Sequence, residues 1–115
     1  MSYSTPSQVR ANGLVRARVS NTTVFTDLVL QAAIAKADAR IAASLGVRYT
    51  LPLSSAGQLI QDLSITGASW YLIEGDGIGP GDNGAEVLFS SYDRDFGPEG
   101  TLWRISQGSL VPPGL

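Results

Sequence analysis

The chain has no cysteine and no histidine among its 115 residues. The first absence excludes disulfides and thiolate chemistry, and with them a secreted scaffold held by cross-links. The second removes the usual general base at neutral pH, and both together remove the usual zinc ligands. No apolar run approaches the roughly 20 residues that a membrane helix needs. The opening segment, Met1 to Pro6, has neither the basic nor the apolar region of a signal peptide, and Ser2 stands where myristoylation requires glycine. The expected location is the cytosol, or a particle assembled there, with no membrane partner. The long polar runs of a disordered chain are also missing. What remains is one domain with a modest core, of a size at which partners often help stability.

The net charge of −2 hides an asymmetry. Residues 1–48 carry six basic groups, Arg10, Arg16, Arg18, Lys36, Arg40 and Arg48, against Asp27 and Asp38. Residues 49–115 carry only Arg94 and Arg104 against eight acids. Such flanks either neutralise each other within one fold or allow subunits to pack head to tail, the contact that closes rings.

The pattern predicts an all-α fold, a small bundle of about four helices. Thr5-Pro6-Ser7-Gln8 is a helix start, with Thr5 as cap, Pro6 at the first position and Gln8 completing a capping box. A main helix follows over about 24–45, capped by Thr23 or Thr26, with Leu30, Ile34, Ala37, Ile41 and Leu45 on one face and Gly46 at its end. Residues 47–53 read as an extended corner, since Pro52 turns Leu51 away from helical angles. Arg48, Tyr49, Leu51, Pro52 and Leu53 hold that corner rather than touch a partner. Ser54 or Ser55 then caps another helix, Ser55 with Gln58 as a second capping box. Its expected buried stripe is Leu59, Ile60, Leu63, Gly67, Trp70 and Tyr71, with Gly67 explained by close packing against a neighbour. Five glycines and a proline make residues 75–84 a loop. Helices are expected again over 85–93 and 101–107, broken by Gly97-Pro98-Glu99-Gly100 and ended by Gly108. Residues 1–108 form the helical domain and 109–115 an extended, apolar C-terminal arm.

Candidate chemistry is thin. Gly75-Asp76-Gly77-Ile78-Gly79-Pro80 is similar to a loop of isocitrate-type decarboxylating dehydrogenases, but it follows a helix and no βαβ unit surrounds it. Glu74, Asp76, Asp82, Asn83 and Glu86 do not have calcium-loop spacing. Asp93, Asp95 and Glu99 have no accompanying nucleophile and read as surface salt bridges or subunit contacts. The serines have no base to activate them. Trp70, Tyr71 and Trp103 read as core aromatics at helical spacing, one of which can anchor an interface. No cofactor, no metal and no enzymatic activity are expected. The basic cluster Arg10, Arg16 and Arg18 is small, and the acidic balance argues against strong phosphate binding.

Three segments resemble the small head–tail connector proteins of tailed bacteriophages. The first is Ala37-Asp38-Ala39 with Ile41 and Leu45, followed by Arg48-Tyr49-Thr50-Leu51-Pro52-Leu53. The second is the amphipathic stretch Leu59 to Ile73. The third is Leu102 to Leu110, like that family's closing helix, glycine and short apolar tail. The chain departs from the family in its Gly-rich loop 75–84 and its break at 97–100. The resemblance implies an adaptor of the virion neck, a ring of about twelve copies docked under the portal protein. It would extend the DNA channel, letting duplex pass without specific binding, and offer a surface to the stopper or tail-completion protein. Candidate contacts are Leu110, Val111, Pro112, Pro113 and Leu115 of the arm, Arg10, Arg16 and Arg18, and the loop 75–84. The competing class is a small helical protein-binding or regulatory module of a phage, monomeric or dimeric.

Overall fold

The computed structural model describes residues 3–12, 25–46, 49, 57–75 and 83–110, with backbone only for 75 and 83–88. These residues form five helices and no strand: α1 (Pro6–Arg10), α2 (Asp27–Leu45), α3 (Gln58–Gly75), α4 (Asn83–Phe96) and α5 (Thr101–Gln107). The all-α expectation is met. Packing centres on α2 against α3, with α4 and α5 closing one side and the short α1 crossing the pair.

The helix starts follow local chemistry. The Thr5 hydroxyl accepts from the Gln8 N–H at 3.3 Å, and the Gln8 carbonyl oxygen Oε1 accepts from the Thr5 N–H at 2.9 Å. That is the capping box read from the sequence. Thr26, not Thr23, caps α2 by accepting from Val29 N–H at 3.3 Å. At the far end of α2, Gly46 keeps right-handed angles, φ −62°, so its left-handed freedom is not used there. It is used at Gly108, φ 81°, where Gly108 N–H bonds Ile105 O and Ser109 N–H bonds Arg104 O. This pair of bonds satisfies two end carbonyls of α5.

Three expectations need correction. α3 begins at Gln58, with Gln61 N–H on Gly57 O, so Gln58 opens the helix instead of closing a box with Ser55. Its side chain bonds forward to Asp62 Oδ1 at 2.8 Å. The Gly-rich loop is shorter than 75–84, because Gly75 ends α3 and Asn83 and Gly84 open α4. α4 itself runs three residues past the expected Asp93, to Phe96. The corner 47–53 lies outside the described residues except Tyr49, whose N–H bonds Leu45 O at 2.8 Å and whose ring packs on the core.

The expected α2 face is the spine of the core: Leu30, Ile34, Ala37, Ile41 and Leu45 are all at or below 1% exposure. α3 is buried almost all round, as the middle helix of such a stack must be. Its buried apolar side chains are Ile60, Leu63, Ala68, Leu72 and Ile73, whereas Leu59, Trp70 and Tyr71 are only partly buried. Leu72 and Ile73 thus replace Trp70 and Tyr71 in the stripe. Gly67 sits at the crossing. A Cβ there would lie 2.9 Å from Ala37 Cβ and 2.9 Å from Phe96 Cζ, so three helices meet where one has no side chain.

Candidate interaction surface

Among the described residues no three metal-ligating side chains cluster, and no helix is long and apolar enough to cross a membrane. Two polar arrangements centre on α2, one at Asp38 and one at Arg40.

The first is internal. Asp38, the middle residue of Ala37-Asp38-Ala39, accepts the Ser64 hydroxyl at 2.6 Å and the Tyr3 backbone N–H at 2.9 Å. Ser64 is fully buried and shares a 2.6 Å hydrogen bond with Ser4, which is also buried. Asn12 donates to buried Ser69 at 2.9 Å. Arg10 donates to Phe25 O at 2.8 Å and to Asp27 Oδ1 at 2.9 Å. The N-terminal segment is therefore strapped to α2 and α3 by side chains, and no buried described side-chain polar atom lacks a partner. Buried hydroxyls are costly when unpaired, so the half-buried Asp38 carboxylate and the buried serines support one another.

The second is half-exposed. Arg40, one helical turn after Lys36, donates to the Tyr92 hydroxyl and, at 3.0 Å, to Phe96 O. Its guanidinium lies 5.7 Å from the Tyr92 ring centre and 5.6 Å from that of Phe96. Those two rings stack at 5.0 Å. Tyr92 meets Tyr71 edge-on and through their hydroxyls at 3.1 Å, and it packs on Trp70, which meets Phe89 edge-on at 5.1 Å. Lys36 Nζ stands 4.4 Å above the Tyr71 ring. Burial, then the Tyr71 hydroxyl, pushes the Tyr92 phenol well above its ordinary range, so it stays neutral as a donor and acceptor. Arg40 also borders a groove of about 480 Å³ whose walls include Ala43, Phe96, Pro98, Leu102 and Trp103.

Phe89 is 48% and Trp103 46% exposed, large apolar area left at the surface. Trp103 is thus not a core residue: on the seven-residue α5 the core takes Leu102 and Ile105, and the third large apolar side chain faces out. Asp95 is corrected the other way. It is buried rather than at the surface and accepts the Thr101 hydroxyl at 2.7 Å, where α5 begins, while the expected ion pair, with Arg94, is present. Arg94 stands more loosely beside it, at 3.4 Å.

The contact residues expected from the sequence are not assembled into one patch. Arg10 is occupied within the chain by Phe25 and Asp27. Leu110 packs on the core beside α5, and its N–H bonds Arg104 O at 3.3 Å, so the arm starts tied to the fold. Arg16, Arg18, Arg48, Leu51, Pro52, Leu53, Val111, Pro112, Pro113 and Leu115 lie outside the described residues, as do loop positions 76–82. The Arg40 surface was missed. Its signal was in the sequence as Lys36 and Arg40 four apart on the α2 flank, with Phe89, Tyr92 and Phe96 spaced by three and four.

The family model of the bacteriophage Mu Gp36 proteins matches residues 6–97, about four fifths of the chain. The chain belongs to that family. It is a phage protein. The match spans α1 to α4, including Ala37-Asp38-Ala39 and the stretch Leu59 to Ile73, and stops before Leu102 to Leu110. No curated protein and no solved structure matches the chain.

Proposed function

We propose that this Gp36-family chain is a structural protein of the virion neck, a helical adaptor that forms a ring between portal and tail. The observation that carries the reading is the phage-family match over residues 6–97, which runs through two of the three connector-like segments. The fold suits the role. A small bundle with a fully partnered interior presents a rigid aromatic and cationic surface to neighbours, the kind of side chains that dominate protein contacts. The work is mechanical: extending the DNA channel, letting duplex pass without specific binding, and offering a platform to the stopper or tail-completion protein. No catalytic step or cofactor enters the reading.

The test is electron microscopy of tailed particles that carry a gold-labelled tag at the N-terminus of this protein. Label confined to the single neck vertex is the expected result. Label spread over capsid or tail, or absent from particles, would remove the adaptor role and leave a helical binding module. A second test removes residues 111–115, keeping the α5 cap and Leu110. The shortened chain is expected to fold normally and to lose docking to the portal. Unchanged docking would show that the arm is not the attachment.

A further inference from the structure

Trp103 stands about half exposed on the wall of the groove of about 480 Å³ that Arg40 borders. Leu102 lines the same α5 wall, Arg40 and Ala43 line it from α2, and Pro98 lines it from the turn between α4 and α5. Flat apolar side chains beside a free set of N–H donors suit one class of occupant. An extended, proline-rich segment presents pyrrolidine rings to an aromatic wall and carries carbonyls that it does not pair internally. Trp103 and Leu102 supply the wall. Arg40 supplies donors, since its guanidinium has five N–H groups and gives only some of them to Tyr92 and Phe96 O. The surroundings are mixed in sign, with Glu74 acting on Tyr92 beside Arg40 and Lys36, so an uncharged occupant fits better than an acidic or a basic one.

The chain holds one such segment. Pro112-Pro113 is the only place where two prolines adjoin, and residues 105–115 carry no charge. The segment is rooted beside the groove. Ser109 and Leu110 N–H both bond Arg104 O, and Leu110 packs on the cluster that contains Phe96 and Leu102, two residues of the groove lining. Its reach is sufficient. The seven residues of α5 span about 10 Å, whereas residues 111–115 in polyproline geometry reach about 15 Å. A segment tethered this closely meets its own groove at an effective concentration in the millimolar range, ahead of any dilute second copy.

We infer that Val111, Pro112 and Pro113 dock in this groove of their own subunit, with the proline rings on Trp103 and a carbonyl on Arg40. The contact belongs to the free subunit and holds whether or not the chain serves in a neck. It makes the arm a latch. Drawing the arm out to a partner frees the arm and uncovers Trp103 in one step, and the helices beneath stay as they are.

The experiment reads Trp103 alone. Trp70→Phe leaves it as the one tryptophan of the chain. Fluorescence and acrylamide quenching are compared, on that background, for the full chain, the chain without residues 111–115 and the full-length Pro112→Ser/Pro113→Ser variant, with circular dichroism melts to verify folding. In the full chain Trp103 is expected to emit at shorter wavelength and to be quenched about twofold less than in the other two, as a half-exposed ring is when its open face is covered. The difference is expected to survive about hundredfold dilution, as a contact within one chain must. In the wild type, nuclear Overhauser contacts between the Trp103 indole and the rings of Pro112 or Pro113 are expected, a reading that needs no substitution. Equal quenching in all three forms, or no such Overhauser contacts, would overturn the latch. Shielding in the serine variant equal to that of the full chain would overturn the role of the prolines, and shielding lost on dilution would move the arm to a second copy and overturn the contact within the subunit. Neck labelling of particles bears on none of these results.

Discussion

Asp38 and Arg40 are two residues apart on α2 and serve opposite purposes. Asp38 turns inward to the Ser64 hydroxyl at 2.6 Å and the Tyr3 N–H at 2.9 Å, and Ser64 in turn bonds Ser4 at 2.6 Å. Arg40 turns to large rings at ordinary stacking distances and keeps its outer side in water. The inner network closes on itself, because a buried hydroxyl without a partner would cost more than its bonds return, and the half-buried Asp38 supplies the acceptor. The outer one is rigid but open, since a guanidinium over a ring needs no counter-ion to stay in place. Substitutions at the inner site should therefore act on folding and those at the outer site on association.

The largest effect on stability is expected at the spine that both sites share. Ile41→Ala removes a fully buried side chain between α2 and the second half of the core. It should cost about 2–5 kcal/mol, read from urea unfolding with the slope unchanged. Asp38→Ala should follow at about 1–3 kcal/mol, because it removes the acceptor of the Ser64 hydroxyl and of the Tyr3 N–H and leaves Ser64 only its bond with Ser4. Hydrogen exchange separates this from a general loosening: Tyr3 should lose protection while the α4 amides keep theirs. A cost near zero would mean that the strap is decoration.

Gly67→Ala sharpens the comparison from the middle. Alanine gains about 1 kcal/mol of helix propensity over glycine, and overpacking typically costs about 1–3 kcal/mol. Because the new methyl would press on Ala37 Cβ and Phe96 Cζ, both at 2.9 Å, the net is expected to be destabilising by about 1 kcal/mol. A stabilised variant would mean that α2 and α4 can yield at this crossing.

Tyr92→Phe tests the outer network by pH. The phenol's pKa is raised in the fold, so the folded state holds its proton longer than the unfolded chain. Stability from this group is then complete below the ordinary tyrosine value near 10 and falls as pH rises above it. Wild type should lose unfolding midpoint on going from pH 9 to 11, and Tyr92→Phe should lose less, starting from a slightly lower value for want of the Arg40 and Tyr71 hydrogen bonds. Equal slopes would place the alkaline sensitivity in another group.

Much of the fold could be read from spacing. The α2 face, the Thr5–Gln8 box, the bounds of α5 and its Gly108 stop follow from rules that act within four residues. The errors have a different origin. Trp70, Leu72 and Ile73 are all apolar within four residues of α3, and only the positions of α2 and α4 decide which of them is covered. Asp95 looked like a surface charge because the residue that pairs with it, Thr101, lies across a chain reversal at Gly97–Gly100. That reversal puts Glu99 at φ 57°, which no local pattern announced. The Arg40 surface was hidden for the same reason. Its parts come from four helices, and each alone reads as an ordinary solvated flank.

The smallest stability change and the clearest functional one are expected together, at Phe89 and Trp103. Both are about half exposed, so replacing either with serine removes area that water already reaches. Phe89→Ser loses an edge contact with Trp70, and Trp103→Ser leaves Leu102 and Ile105 to hold α5. Each should cost no more than about 1 kcal/mol, since only half of the side chain's area is buried and, at Phe89, one edge contact is lost. If the outer surface exists to meet a second copy, the same changes should weaken self-association by about tenfold or more, as truncation of a buried anchor does. A Trp103→Ser chain that melts early and still associates normally would reverse the assignment and make Trp103 part of the fold rather than of the contact.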